Sequence, residues 1–343
     1  MVRPLLPHWG LCLWRRSKLN METTQTDAGP QSEIQETQPE ALPAGRARLH
    51  RWVELVIERL IWLAGVSTIL IVGLIFFFLL REGLPAFLDI PLRQLFGSRW
   101  YPIENSFGLW PLIVGSIVVT VGAVIIAVPL GLTTAIYLGE IAPQGQREIL
   151  KPLIEVLAGI PSIVLGFLGW VVLAPIVQQL GAPTGLTAFT GAVILAYMAL
   201  PTIISISEDA LYAVPKEYRD GALAIGATQW QTIWRVVLPA ARSGLVMAVM
   251  LGIGRAIGET MAVMMVTGNA ANVPQFGLSM FFEPVRTMTA TIAAEMGEVA
   301  RGSLHYSVLF EIGIVLFLIT FGINSLAGRL VRGQGNRRKR GQL

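Results

Sequence analysis

Long apolar runs separated by short polar stretches dominate the chain. Residues 60–80 hold 21 positions without Asp, Glu, Lys or Arg, and residues 106–139 hold 34. A helix rises ~1.5 Å per residue, so ~20 apolar residues cross ~30 Å of hydrocarbon. These are the first two expected spans. Residues 156–207 hold 52 such positions, too many for one crossing, and the turn-prone stretch from Gln178 through Gly181 and Pro183 to Thr184 divides them. Two spans are expected there. A fifth is expected over 243–267, with Arg255 and Glu259 inside it, and a sixth over 307–328. The pattern therefore predicts an all-α integral membrane protein with six transmembrane helices and both termini on one side.

Composition agrees. Hydrophobic residues make up 53% of the chain and charged residues 14%, with a mean hydropathy of +0.61. That is more apolar surface than one water-soluble core hides. Placing both termini in the cytoplasm puts 16 loop and flanking Lys/Arg residues between 46 and 340 inside, against five outside (Arg81, Arg93, Arg99, Arg286 and Arg301). This is the positive-inside bias. It accounts for most of the net charge of +4, so the charge is no argument for nucleic acid. The tail Arg337-Arg338-Lys339-Arg340 suits anionic headgroups. Cys12 is the single cysteine, and His8, His50 and His305 are scattered. Neither a disulfide framework nor a metal-ligand cluster is legible, and no nucleophile has an evident base.

The chain divides into four stretches. Residues 1–45 read as a flexible cytoplasmic arm, with Met21 as a candidate true start because composition changes abruptly there. Residues 46–110 comprise a lead-in, the first span and an external loop. The lead-in places Leu49, Trp52, Val53 and Val56 at helical spacing, as in a surface-lying amphipathic helix. In the loop, Trp100 and Trp110 are expected interface anchors. Residues 111–330 form the core, including a cytoplasmic loop at 208–242, and residues 331–343 form the basic tail. Gly115, Gly122, Gly131, Gly159, Gly166, Gly169 and Gly252 are expected to let helix backbones approach closely. Pro129, Pro161 and Pro201 are expected to shape packing or act as hinges.

The loop at 208–242 is patterned. A short helix is expected to open near Pro215 and to turn at Gly226. Thr228 can cap a second helix with Trp230, Ile233, Trp234 and Val237 on one face, which Pro239 is expected to interrupt. The string Asp220-Gly221-Ala222-Leu223-Ala224-Ile225-Gly226, followed by Leu238-Pro239, resembles the Glu-Ala-Ala loop of binding-protein-dependent ABC importer permeases. Asp220, Gly221 and Val236 depart conservatively from that pattern. The resemblance implies a type I ABC importer permease fold and a coupling helix that inserts into an ATPase subunit. The competing reading is a loop that packs only on its own bundle. No phosphate-binding G-x-x-x-x-G-K-[ST] loop occurs, and none of the four lysines follows a glycine. ATP hydrolysis therefore falls to a partner.

Within the fifth expected span a central Arg costs ~2.5–3.5 kcal/mol on insertion scales. Glu259, four residues on, is expected one turn away on the same face, placed to accept the Arg255 donors. Gly252, Gly254 and Gly258 would keep that face open. A fixed cation in a glycine-lined path suits a small oxyanion, although a pair that merely fixes packing is the plainer alternative. The string from Gly254 through Glu259-Thr260 to Val263 resembles the PstC-type permease subunit of high-affinity phosphate importers, as do Leu157 to Ser162 and Pro284 to Ala293. This resemblance covers about residues 50–330. It implies a sister permease (PstA-like), an ATPase dimer (PstB-like) using ATP and Mg, and an external phosphate-binding protein (PstS-like). No cofactor is expected on this chain itself. Thr260, Thr267 and Asn269 are candidate polar contacts near the anion, with capping as the ordinary alternative for the latter two. Glu295, Glu298 and Arg301 are expected to share one helical face in the last external loop. The rival classes are a sulfate or molybdate permease, a membrane enzyme, and a secondary transporter or channel that would need no coupling loop.

Overall fold

The computed structural model describes residues 44–275 and 277–340. The arm before residue 44, the Met21 start and Cys12 lie outside the described residues. Among the described residues, six helices are long and apolar enough to cross a membrane: Val53–Leu88, Trp110–Ile141, Ser162–Gln179, Ala188–Tyr212, Gln229–Gly258 and Leu304–Leu326. The chain divides into two compact units, Met1–Ser67 and Thr68–Leu343. In the first, residues 44–67 are uninterrupted helix. The expected lead-in thus has no turn that would let it lie apart from the span it precedes, because nothing between Arg46 and Arg59 breaks helical hydrogen bonding.

In the second unit the fourth span is the centre, with the second and fifth spans packed along it. Val118, Val119, Ala123 and Ala127 of the second meet Leu195, Ala196, Ala199 and Ile203 of the fourth and Ala256 of the fifth. Small residues set the spacing. A Cβ at Gly131 would lie 2.7 Å from Ile203 Cγ2, and one at Gly252 would lie 2.5 Å from Ile203 Cγ1. Ile203 is therefore wedged between two glycines, and Gly244 meets Ala210 in the same way further along. In lipid, where apolar surface gives helices little reason to associate, such close approach supplies the packing attraction. The first span from residue 68 on packs against the sixth, with Phe76 and Phe317 ring centroids 4.9 Å apart.

Two prolines are accommodated rather than disruptive. The π-helical turn Gly169–Leu173 precedes Pro175, and the π-helical turn Ile233–Val237 precedes Pro239. The Leu238 N–H donates to the Ile233 carbonyl, a wider turn that relieves the backbone where proline can offer no donor. Pro239 consequently does not interrupt the second loop helix. The chain continues through it as Leu238–Gly258, so that loop helix and the fifth span are one rod.

At the end of the unit remote from the 208–242 loop, a short hairpin pairs Trp100 with Phe107. Trp100 is buried there among Ile90, Leu95, Leu112, Met288 and Leu309 rather than serving as an exposed interface anchor. Trp110 is exposed.

Candidate functional site

Three regions carry the residues singled out by sequence. The first is the elbow. Helix Lys216–Ala224 ends at a turn where Gly226 has φ +86° and its N–H donates to the Leu223 carbonyl at 3.0 Å. A side chain in that backbone region is strained, so glycine is the fitting residue. Thr228 then caps Gln229–Thr232 in a full capping box: its Oγ1 accepts from the Gln231 N–H, and its own N–H donates to Gln231 Oε1. Asp220, Gly221 and Gly226 are exposed and Ala222 is buried. Ile225, 87% exposed, Leu223 and Tyr218 present apolar surface on the elbow. Leu238 packs beside Leu211, Val214 and Val237, while Pro239 is exposed.

The elbow is clamped to the bundle. Arg219 Nη2 and Nε donate to the two carboxylate oxygens of Glu140, at 2.6 and 3.2 Å. Two further N–H groups reach the Val214 and Leu211 carbonyls at 2.7 and 2.9 Å. Hydrogen bonding to Glu140 outweighs desolvation and raises the Arg219 guanidinium above the ordinary arginine range. Beside it, helix Gln144–Ala158 is tied to the fourth span by Arg147 Nη2 to Glu208 Oε1 at 2.6 Å and Lys151 to Glu208 Oε2 at 3.6 Å. Burial opposes the Arg147 charge, but its hydrogen bonds to Glu208 and Tyr212 more than offset this and raise it. Neither carboxylate clamp has a local sequence signature, because the partners lie 79 and 61 residues apart.

The second region is a break in the fifth span. Helix Leu238–Gly258 stops, Glu259 takes an extended backbone with φ −70° and ψ 134°, and a separate helix Met261–Val266 follows. The expected i,i+4 pairing therefore fails: no ion pair joins Arg255 and Glu259 among the described residues. The physical reason is that Glu259 has left the helix on which that spacing depends. Instead Glu259 Oε1 accepts from the Ala262 N–H at 3.4 Å, capping the outer helix, and its carbonyl, freed by the break, accepts from Thr289 Oγ1 at 2.9 Å. Arg255 is exposed and donates from Nη1 to Thr202 Oγ1 of the fourth span at 3.2 Å. Gly254 and Gly258 have open space at Cβ, whereas Gly252 is spent on packing against Ile203.

Thr260 donates to the Gly258 carbonyl at 3.3 Å, close to the break. Asn269, with φ +51°, donates from Nδ2 to the Met264 carbonyl, and Thr267 Oγ1 donates to the Val263 carbonyl. Both finish the outer helix, the ordinary capping role. Sequence reasoning missed Thr202 and Thr289: a lone threonine on an apolar helix carries no spacing signal, and nothing local sets Thr289 apart from Thr287 and Thr291 on either side.

The third region is the end of the second unit remote from the elbow. Glu295 accepts from Arg286 Nη2 at 2.7 Å and from Trp100 Nε1 at 3.1 Å, and lies 2.7 Å from His305 Nε2. Helix Met288–Glu295 ends there, so Glu298 and Arg301 fall in turns and the expected shared helical face is absent.

Comparison with known proteins places this arrangement. A family model described as "binding-protein-dependent transport system inner membrane component" matches residues 127–336. The chain belongs to that family and is a multi-pass membrane permease. It is 41% identical to a probable ABC transporter permease protein, YqgH, of Bacillus subtilis, over 76% of this chain and 84% of that one. It is 35% identical to the phosphate transport system permease protein PstC of Mesorhizobium japonicum, over 86% and 96% of the two chains. The PstC of Pasteurella multocida is 33% identical over 82% and 92%. Among solved structures, a bacterial ABC transporter involved in alginate import shares the fold with a TM-score of 0.54 at 15% identity, covering 82% of this chain and 98% of that one. An inward-facing MetNI methionine ABC transporter does so with a TM-score of 0.52 at 19% identity, covering 68% and 99%.

Proposed function

We propose that this chain is one permease subunit of an ATP-driven importer that carries inorganic phosphate across the bacterial plasma (inner) membrane after an external binding protein delivers it. The observation that carries the reading is Arg255: a permanent cation on a membrane-spanning helix, exposed on this chain and bonded only to a neutral hydroxyl among the described residues. A cation left in that state at membrane depth calls for an anion or a second chain to offset its cost. The similarity to phosphate permeases supplies the anion.

The Lys/Arg bias puts the elbow and both termini in the cytoplasm. There the exposed Leu223, Ile225 and Tyr218 meet a PstB-like ATPase dimer, which uses ATP and Mg. A PstA-like sister permease closes the path over Arg255, and a PstS-like binding protein docks at the far end. Arg255 draws the anion in. Glu259, whose Oε2 has no hydrogen-bond partner among the described residues, accepts a hydrogen bond from protonated phosphate and repels fully ionised sulfate. The test is to co-purify the complex, reconstitute it in proteoliposomes and measure accumulation of labelled phosphate, sulfate and molybdate. Phosphate uptake that requires ATP supports the reading. Preferential sulfate or molybdate uptake overturns the substrate, and uptake without ATP overturns the class.

A further inference from the structure

Threonines within membrane helices usually satisfy the hydroxyl by donating to a carbonyl one turn back, and this chain follows that habit repeatedly. Thr133, Thr134, Thr267 and Thr320 donate to the carbonyls of Pro129, Leu130, Val263 and Leu316. Thr202 does not. Its Oγ1 accepts from Arg255 Nη1 at 3.2 Å, and its own O–H has no acceptor among the described residues. The wedge of Ile203 against Gly252 sets this contact: Ile203 is the next residue after Thr202, and Gly252 lies almost one turn before Arg255. The close crossing of the fourth and fifth spans thus brings a hydroxyl to the guanidinium edge. Thr202 is partly exposed, and Gly254 and Gly258 leave the neighbouring surface open.

On the reading that Arg255 takes the transported oxyanion, we infer that Thr202 is a further anion ligand and positioning residue. It holds one guanidinium nitrogen as an acceptor and turns its own O–H toward the anion as a donor. A tetrahedral oxyanion then meets donors from two spans, the remaining guanidinium N–H groups from the fifth and the hydroxyl from the fourth. Donor convergence of this kind fixes the orientation that a lone flexible cation leaves open.

The test uses the whole reconstituted complex with phosphate-loaded binding protein titrated to saturation, and compares Thr202→Val, Thr202→Ser and Arg255→Gln. Valine keeps the shape and removes the hydroxyl, so the maximal phosphate uptake rate per assembled complex is expected to fall about tenfold, the scale of one lost hydrogen bond to a charged group. The concentration of binding protein giving half-maximal rate should stay constant, because docking occurs elsewhere. Serine restores the hydroxyl and should keep uptake within about twofold of the parent. Should Thr202→Val fail to assemble, Thr202→Ala against Thr202→Ser makes the same comparison. Normal uptake by the hydroxyl-free variant, with uptake abolished in Arg255→Gln, overturns the role of Thr202 alone. Equal losses in the serine and hydroxyl-free variants also overturn it. Normal uptake by Arg255→Gln overturns the functional reading beneath it.

Discussion

The cap that Glu259 forms and the selectivity role proposed for it are separable by substitution. Its Oε1 caps Ala262, which a glutamine amide oxygen does equally well, so Glu259→Gln removes the charge and keeps the cap. The expected outcome is retained assembly with weakened discrimination, read as a rise in the ratio of labelled sulfate to phosphate uptake. An unchanged ratio would remove the carboxylate from selectivity. Glu311 presents the opposite case. It is fully buried in the sixth span, and neither carboxylate oxygen has a partner among the described residues. An orphaned buried polar group costs ~1–3 kcal/mol. Glu311→Leu is therefore expected to raise the melting temperature of the purified protein by a few degrees. A fall of similar size would mean that the carboxyl holds something in the assembled protein.

At the scale of elements, the elbow is fastened to the bundle by its clamp. Arg219 spans three attachment points, and removing one partner of a well-buried ion pair costs ~3–5 kcal/mol, somewhat less where part of the pair meets water. Arg219→Gln is expected to leave the ATPase bound while lowering phosphate moved per ATP hydrolysed by severalfold. Coupled uptake at the parental ratio would show that the clamp is dispensable. Gly226→Pro should abolish coupling outright, since proline fixes φ near −65° and removes the N–H that reaches Leu223. Much of this element was legible in the sequence: the turn at Gly226, the Thr228 cap and the helix after Pro215 all follow from local chemistry. The clamp was not, because Glu140 and Arg219 meet only when the second and fourth spans have packed. The break at Glu259 was also hidden. Gly258-Glu259-Thr260 contains no proline, and the i,i+4 spacing of Arg255 and Glu259 reads as continuous helix until tertiary contacts such as Thr289 to the Glu259 carbonyl draw the chain out.

At the scale of the whole second unit, the fifth span links its two ends. Gln229–Gly258 is one helical rod of 30 residues, ~45 Å at 1.5 Å per residue. It begins at the capped elbow and stops at the break. There Thr289 holds the Glu259 carbonyl, and Thr289 belongs to the helix whose last residue, Glu295, is bound to Arg286, Trp100 and His305. Six crossings were readable from hydropathy because a membrane imposes length and composition on every span. The linkage was not, since it depends on Pro239 being absorbed by a π-helical turn instead of ending a helix. A displacement applied at the elbow reaches the break only if the rod between them stays stiff. Met247 lies inside the rod and is exposed, so Met247→Pro interrupts helical hydrogen bonding while Met247→Ala preserves it. In assembled complexes the alanine variant is expected to transport normally, and the proline variant to hydrolyse ATP with phosphate uptake reduced at least about tenfold, as loss of ~1.4 kcal/mol or more of coupling requires. Normal uptake by the proline variant would show that force reaches the Arg255 site by another route, through the fourth span that Glu208 ties to Arg147 and Lys151.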